Sequence, residues 1–150
     1  MKKWIIKKFD ELSLNELYEI ARSRFEVFVQ EQEIICEEEL DGIDNKCIHV
    51  FLEEDKKVAA YCRIVPSGIN YENISIGRVL VKKDYRKKGL AQEMLNVTID
   101  YIKETLFENK VVLSSQLYVK ELYESVGFVV SSEIYEEAGI PHVKMYRYIN

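Results

Sequence analysis

The apolar residues of the first thirty positions fall into two rhythms. Trp4 to Lys8 alternates in the two-residue period of a short strand, whereas Leu14, Leu17, Tyr18, Ala21, Phe25 and Phe28 recur every three or four residues. The second rhythm predicts a helix from Leu14 to about Val29. Ser13 and Glu16 stand three apart at its start, the spacing at which a hydroxyl and a carboxylate satisfy each other's free backbone amides. An acidic connection, Glu31 to Asp44, carries no such rhythm. Three strand-like runs follow at Cys47–Glu53, Lys57–Pro66 and Asn73–Val81, the first two separated by the charged turn Glu54-Asp55-Lys56.

Gly89 to about Phe107 has a helical face made of Leu90, Met94, Val97, Tyr101 and Ile102. Lys110–Ser115 is short and apolar, as a strand buried on both faces must be. A helix from Leu117 to Val126 is predicted to stop at Gly127, which accepts the left-handed backbone of a C-terminal cap. Phe128–Tyr135 and Val143–Ile149 form a last strand pair joined through Glu-Ala-Gly-Ile-Pro. The predicted order is β-α-β-β-β-α-β-α-β-β, an α/β (α+β) arrangement in one domain covering residues 1–150, with no repeat, linker or low-complexity segment.

Composition adds exclusions. At 150 residues, 47% hydrophobic and 31% charged, the chain can bury roughly two-thirds of its unfolded surface, and two prolines are too few for a disordered tract. The N-terminus returns to lysine after Trp4-Ile5-Ile6, which predicts neither a signal peptide nor a membrane span. Cys36, Cys47 and Cys62 form no disulfide or zinc pattern, consistent with a reducing cytoplasm and no metal. A net charge of −5 argues against nucleic acid as a partner.

Against that acidic background, five of the seven residues from Lys82 to Lys88 are basic. The run leaves a strand and opens a helix, where unpaired amides and the helix dipole favour an anion. Gly89 and the small Ala91 permit close backbone approach, with Arg86, Lys87 and Lys88 adding attraction. A basic solvated turn is the alternative, since Arg-x-x-Gly-x-Ala has three fixed positions and lacks the ending of a P-loop.

Several motifs in series resemble one family. IGRVLV, the Arg86-x-x-Gly89-x-Ala91 loop with its helix, and LYESVGF (Leu122–Phe128) are similar to the GNAT superfamily of acyl-CoA-dependent N-acetyltransferases. RFEVFVQEQ (Arg24–Gln32), Glu39-x-Asp41-x-x-Asp44, IGRV (Ile76–Val79) and GIPH (Gly139–His142) resemble its ElaA-like branch. The resemblance implies a mixed, mostly antiparallel sheet of about seven strands with helices on both faces. It also implies acetyl-CoA as co-substrate and a small-molecule or peptide amine as acceptor.

By position, the resemblance implies that Arg86, Lys87, Lys88, Gly89, Leu90 and Ala91 wrap a pyrophosphate, and that Val79, Leu80 and Val81 pair with the pantetheine arm. That strand and Val111–Ser114 would splay to admit the thioester. Gln116 stands where relatives often carry asparagine, and Ala91 replaces a commoner second glycine. Tyr123 takes the general-acid position toward the sulfur. For the base, the residues offer Glu31, Asp41, Asp44, His49 and His142, with Glu31 and His142 first; a water chain is the alternative.

Arg63 and Arg78 lie in otherwise apolar strands, and a buried guanidinium needs carboxylates. Arg24, Arg63 and Arg78 are therefore expected to form an ion-pair network with Glu31, Glu39, Asp41 and Asp44, with His49 nearby, across the acceptor cleft. The network would serve as a structural clasp, as substrate recognition, or both. It also resembles acyl-homoserine-lactone synthases, which generally lack the Arg-x-x-Gly loop. A non-catalytic acyl-CoA sensor is a further alternative, and the apolar last strand leaves a homodimer open.

Overall fold

The computed structural model describes residues 3–149. β1 (Trp4–Lys8) leads through a single 3-10 turn to α1 (Leu14–Arg24). Ser13 caps that helix: its Oγ accepts from the Glu16 amide at 3.0 Å, and Glu16 Oε1 accepts from the Ser13 amide at 2.8 Å. The helix does not run evenly to Val29. From Phe25 to Glu31 it widens into a π-helical segment, with the Gln32 amide donating to the Val27 carbonyl at 2.9 Å. Crowded β-branched and aromatic side chains disfavour the tighter turn, and the wider one buries Val27 and Phe28 together.

β2 (Ile48–Glu54), β3 (Lys57–Val65) and β4 (Ile74–Val81) form an antiparallel meander beside β1. α2 (Leu90–Glu104) precedes β5 (Lys110–Gln116), and a 3-10 turn leads into α3 (Lys120–Ser125). β6 (Val129–Val130), β7 (Tyr135–Glu137) and β8 (Ile140–Tyr148) complete the chain, giving the sheet order β1-β2-β3-β4-β5-β8-β6 with β7 also on β8. The sheet has eight strands rather than about seven because residues 128–135 divide into two short pieces. Ser131 and Ser132 bond to Lys144 between those pieces, interrupting the ladder. The final turn is tighter than expected, and Ile140 and Pro141 already belong to β8.

Helices cover both faces. Ile20, Val27 and Phe28 pack with Phe51, Val58, Tyr61 and Leu80 on one side. On the other, Met94, Leu95, Ile99 and Ile102 of α2 lie over Val50, Cys62, Ile64, Val111 and Leu113. Full burial of each such side chain stabilises the fold by roughly 1.5–3 kcal/mol before entropy is counted. Gly127 ends α3 with φ +93°, the Phe128 amide reaching the Tyr123 carbonyl at 3.0 Å and the Gly127 amide that of Glu124 at 3.0 Å. Among the described residues no helix is long and apolar enough to cross a membrane.

The last strand is not a free edge. β5 lines one side of β8, and β6 and β7 take up much of the other. Along most of β8 both edges are therefore already occupied by strands of the same chain.

Candidate active site

Among the described residues β4 and β5 are the one parallel pair, and they stay together for two registers only, Ile74 with Val111 and Ser75 with Val112. Beyond these the strands diverge, so among the described residues the edge of β4 from Ile76 to Val81 that faces β5 has no neighbouring strand. A β-bulge sharpens the departure. Between Tyr61–Leu80 and Arg63–Gly77 pairing, one residue of β3 faces two of β4, Arg78 and Val79. Arg78 has φ +52°, a left-handed conformation that costs a non-glycine residue roughly 1–3 kcal/mol. Its guanidinium is fixed, with Nε donating to Glu39 Oε2 at 2.8 Å.

The opening is a cavity of about 1020 Å³ lined by β4, β5, the π-helical segment and β7–β8. A second recess of about 390 Å³ adjoins it, sharing Val81, Arg86, Ala91 and Leu122 and extending to Lys87, Gly89 and Leu90. Gly89 caps α2 in the left-handed region at φ +74°, and Lys87 has φ +65°. Alternating handedness of this kind curls successive amides into an anion-sized concavity. A Cβ on Gly89 would meet open space, so the backbone angle is what demands glycine.

Arg86 departs from expectation. Its guanidinium turns inward: Nε donates to the Val81 carbonyl at 2.8 Å, and Nη1 and Nη2 grip Glu31 at 2.5 and 2.9 Å. Arg86 thus ties the loop to β4 and to the end of the π-helical segment, and Lys87 and Lys88 are left as the outward charges. Glu31 belongs to this pair and not to the arginine network of the acidic connection. The Arg86 hydrogen bonds lower its pKa, against a smaller effect of burial, so it is a weaker base than an ordinary glutamate.

The arginines and acids of the connection converge. Arg24 donates to Glu39 Oε2 at 2.8 Å, to the Glu39 carbonyl at 2.7 Å and to Asp44 Oδ1 at 2.7 Å. Arg63 meets Asp41 at 2.9 and 2.5 Å and Asp44 at 2.8 Å. Arg24 and Arg63 are each 1% exposed, and every such ion would cost several kcal/mol to desolvate unpaired. Arg63, Arg78 and Glu39 reach the cavity wall, whereas Arg24, Asp41 and Asp44 lie behind it. The clasp fixes the acidic connection to the sheet and presents one edge to the cleft.

His49 lies outside the cleft. Its Nε2–H donates to the Asp44 carbonyl at 3.0 Å, which leaves Nδ1 to accept the Tyr61 hydroxyl at 2.7 Å. Complete burial lowers its pKa, so it is a neutral core residue with no path to an acceptor. The sequence signal was shared with any β-strand histidine; only the packing of Tyr61 decides it.

Tyr123 on α3 stands in the cavity wall, 6% exposed, with its ring edge-on to Phe128 at 6.2 Å. Burial raises the phenol's pKa, so it carries its proton throughout the neutral range. Gln116 Nε2 donates to Gln32 Oε1 at 3.0 Å, bridging β5 to the π-helical end. His142 also lines the cavity; its Nδ1–H donates to the Ile140 carbonyl at 2.7 Å, and its Nε2 lies 3.7 Å from Glu137 Oε2. Sequence reasoning missed Tyr71, Ser114 and Tyr135, which share the cavity with His142. A loop tyrosine, a serine in a short strand and a hairpin tyrosine carry no spacing that would mark them. Among the described residues no group of three His, Cys, Asp or Glu side chains is placed to hold a metal.

The model of the acetyltransferase (GNAT) domain matches residues 13–149. This chain belongs to the GNAT acetyltransferase family. Protein ElaA of Escherichia coli K12 is 33% identical over 151 residues, covering 98% of this chain and 97% of its own. A UPF0039 protein of Schizosaccharomyces pombe is 40% identical over 144 residues, covering 95% of this chain and 94% of its own. Among solved structures, an acyl-CoA N-acyltransferase from Pseudomonas aeruginosa superimposes with a TM-score of 0.90 at 31% identity. That match covers 98% of this chain and 99% of the other. The eight-stranded GNAT sheet and the split between its parallel pair thus sit in an acyltransferase with ElaA-like relatives.

Proposed function

We propose that the domain moves an acetyl group from acetyl-CoA to an amine by direct attack within a ternary complex. The observation that carries this reading is the adjacency of two spaces. The recess at the start of α2 suits a pyrophosphate, and it shares Val81 and Ala91 with the wall of the gap between β4 and β5. Val79 to Val81 then offer strand-like pairing to the amides of a pantetheine arm. At the bulge, the main-chain amides of Arg78 and Val79 would then donate to the thioester oxygen as it gains charge. Tyr123 is a protonated phenol in the same wall, suited to protonating a departing thiolate. The arginines of the clasp that resembles lactone synthases are ion-paired internally with Glu39, Asp41 and Asp44, although Arg63 Nε keeps no hydrogen-bond partner, and the Arg86–Ala91 loop favours coenzyme A.

Thiol release from acetyl-CoA, followed with a panel of amines and basic peptides, tests the reading. Wild type should turn over, and Tyr123→Phe should lower kcat by about 10²-fold while keeping the acetyl-CoA-induced rise in Tm. Saturation at about a hundred times Kd stabilises by about 2.7 kcal/mol, or roughly 5–10 °C for this length. Undiminished turnover in Tyr123→Phe would remove the phenol from the mechanism. Binding without turnover across the panel would instead identify an acyl-CoA sensor.

A further inference from the structure

Ser114 sits on β5 just beyond the last residue paired with β4, and its hydroxyl shares the cavity lining with two phenols, Tyr71 and Tyr135. Its Oγ hydrogen-bonds the Tyr135 hydroxyl. Tyr71 comes from the loop before β4, where its carbonyl accepts from the Gly68 amide at 2.7 Å. Tyr135 lies directly across from His142 in the β7–β8 ladder, with ring centroids 6.1 Å apart. Three separate segments thus bring three hydroxyls and an imidazole to one end of the large cavity.

The proton inventory of this cluster is informative. Three hydroxyls hold three protons, and the Ser114–Tyr135 hydrogen bond uses one of them. Unshared lone pairs and two O–H groups are left over, at groups that all line the cavity. With Nδ1–H committed to Ile140, neutral His142 has its remaining lone pair on Nε2. Nothing in the handling of coenzyme A described above uses this end. The phosphate recess is formed at the start of α2, and the proton for sulfur comes from α3.

We propose that Ser114, Tyr71 and Tyr135, together with Nε2 of His142, form the seat of the acceptor amine and select a primary one. This rests on the acetyl-transfer reading above. A neutral primary amine has two N–H donors and one lone pair. One N–H donates to a hydroxyl oxygen of the cluster and the other to His142 Nε2, which leaves the lone pair free for the thioester carbon. The N–C bond forms and the C–S bond breaks. The sulfur takes a proton from Tyr123, and the nitrogen gives one to His142, whose imidazolium then faces Glu137. Exchange with water resets both residues, so no further reactant is needed. A secondary amine has one N–H and fills half the seat.

The test is steady-state kinetics with acetyl-CoA and propylamine, N-methylpropylamine, putrescine and a lysine tripeptide amide. Ser114→Ala should raise the amine KM by about three- to tenfold, the effect of losing a hydrogen bond between neutral groups. The KM for acetyl-CoA and its thermal shift should hold. Tyr135→Phe, which keeps the ring, should move in the same direction, and Ser114→Thr should restore most of the loss. The Ser114→Ala, Tyr135→Phe double variant should be little worse than Ser114→Ala alone. An unchanged amine KM and kcat in both single variants, or N-methylpropylamine used as well as propylamine, overturns the seat and leaves acetyl transfer standing. Failure of the wild type to acetylate any amine overturns both.

Discussion

Arg63 receives both oxygens of Asp41 and one of Asp44, and the pairing has a thermodynamic consequence. Burial pushes the Asp41 carboxyl up, but Arg63 and then Arg78 more than offset it, and its pKa falls from 3.8 to about 2. A depressed carboxylate stabilises the fold above its unfolded pKa and loses that contribution as pH falls through the folded one. The contribution is therefore complete above about pH 5 and is lost as pH falls through about 2. Allowing for solvent at this partly open site, it is on the order of 1–2 kcal/mol. In urea melts Asp41→Asn should be less stable than wild type at pH 7, with the two curves converging between pH 5 and pH 2. Parallel curves would show that Asp41 is not coupled to Arg63. At this scale the arginines were legible, because a guanidinium in an apolar strand has few solutions other than nearby acids. Arg86 and Glu31 were not: they lie 55 positions apart, and their pairing depends on where a π-helical turn ends.

At the scale of elements, the capping box, the Gly127 stop and the strand–loop–helix around Gly89 were readable because each is fixed by local backbone chemistry. The widened turn at Phe25–Glu31 was not, since its apolar spacing is also that of a continuing α-helix. The division of residues 128–135 was hidden for a related reason: strand propensity there is ordinary, and the break is made by Ser131 and Ser132 reaching across to Lys144. Gly89 gives this scale its prediction. Space is free around it, so Gly89→Glu keeps the fold at a cost of about 1 kcal/mol for the left-handed backbone. Its carboxylate would meet an incoming phosphate, and the acetyl-CoA-induced Tm shift should vanish. A full shift in that variant would locate phosphate binding elsewhere.

For the whole molecule, the order of elements followed from alternating strand and helix periods, whereas the split in the sheet rested on family resemblance alone. Parallel register is a long-range property, and no residue in either strand announces where pairing stops. Two antiparallel leaves, β1 to β4 and β5 to β8, meet through the pairs Ile74–Val111 and Ser75–Val112, with α2 packed across the join. Amide hydrogen exchange should be slow within each leaf and fast at Val79–Val81, and saturating coenzyme A should slow those three amides most. Equal protection with and without coenzyme A would mean that the arm does not lie along β4. A seam of two residue pairs makes the join between the leaves the natural place for the sheet to open. If coenzyme A lies in the split as proposed, it bridges the two leaves, and resistance to added protease should rise with its concentration.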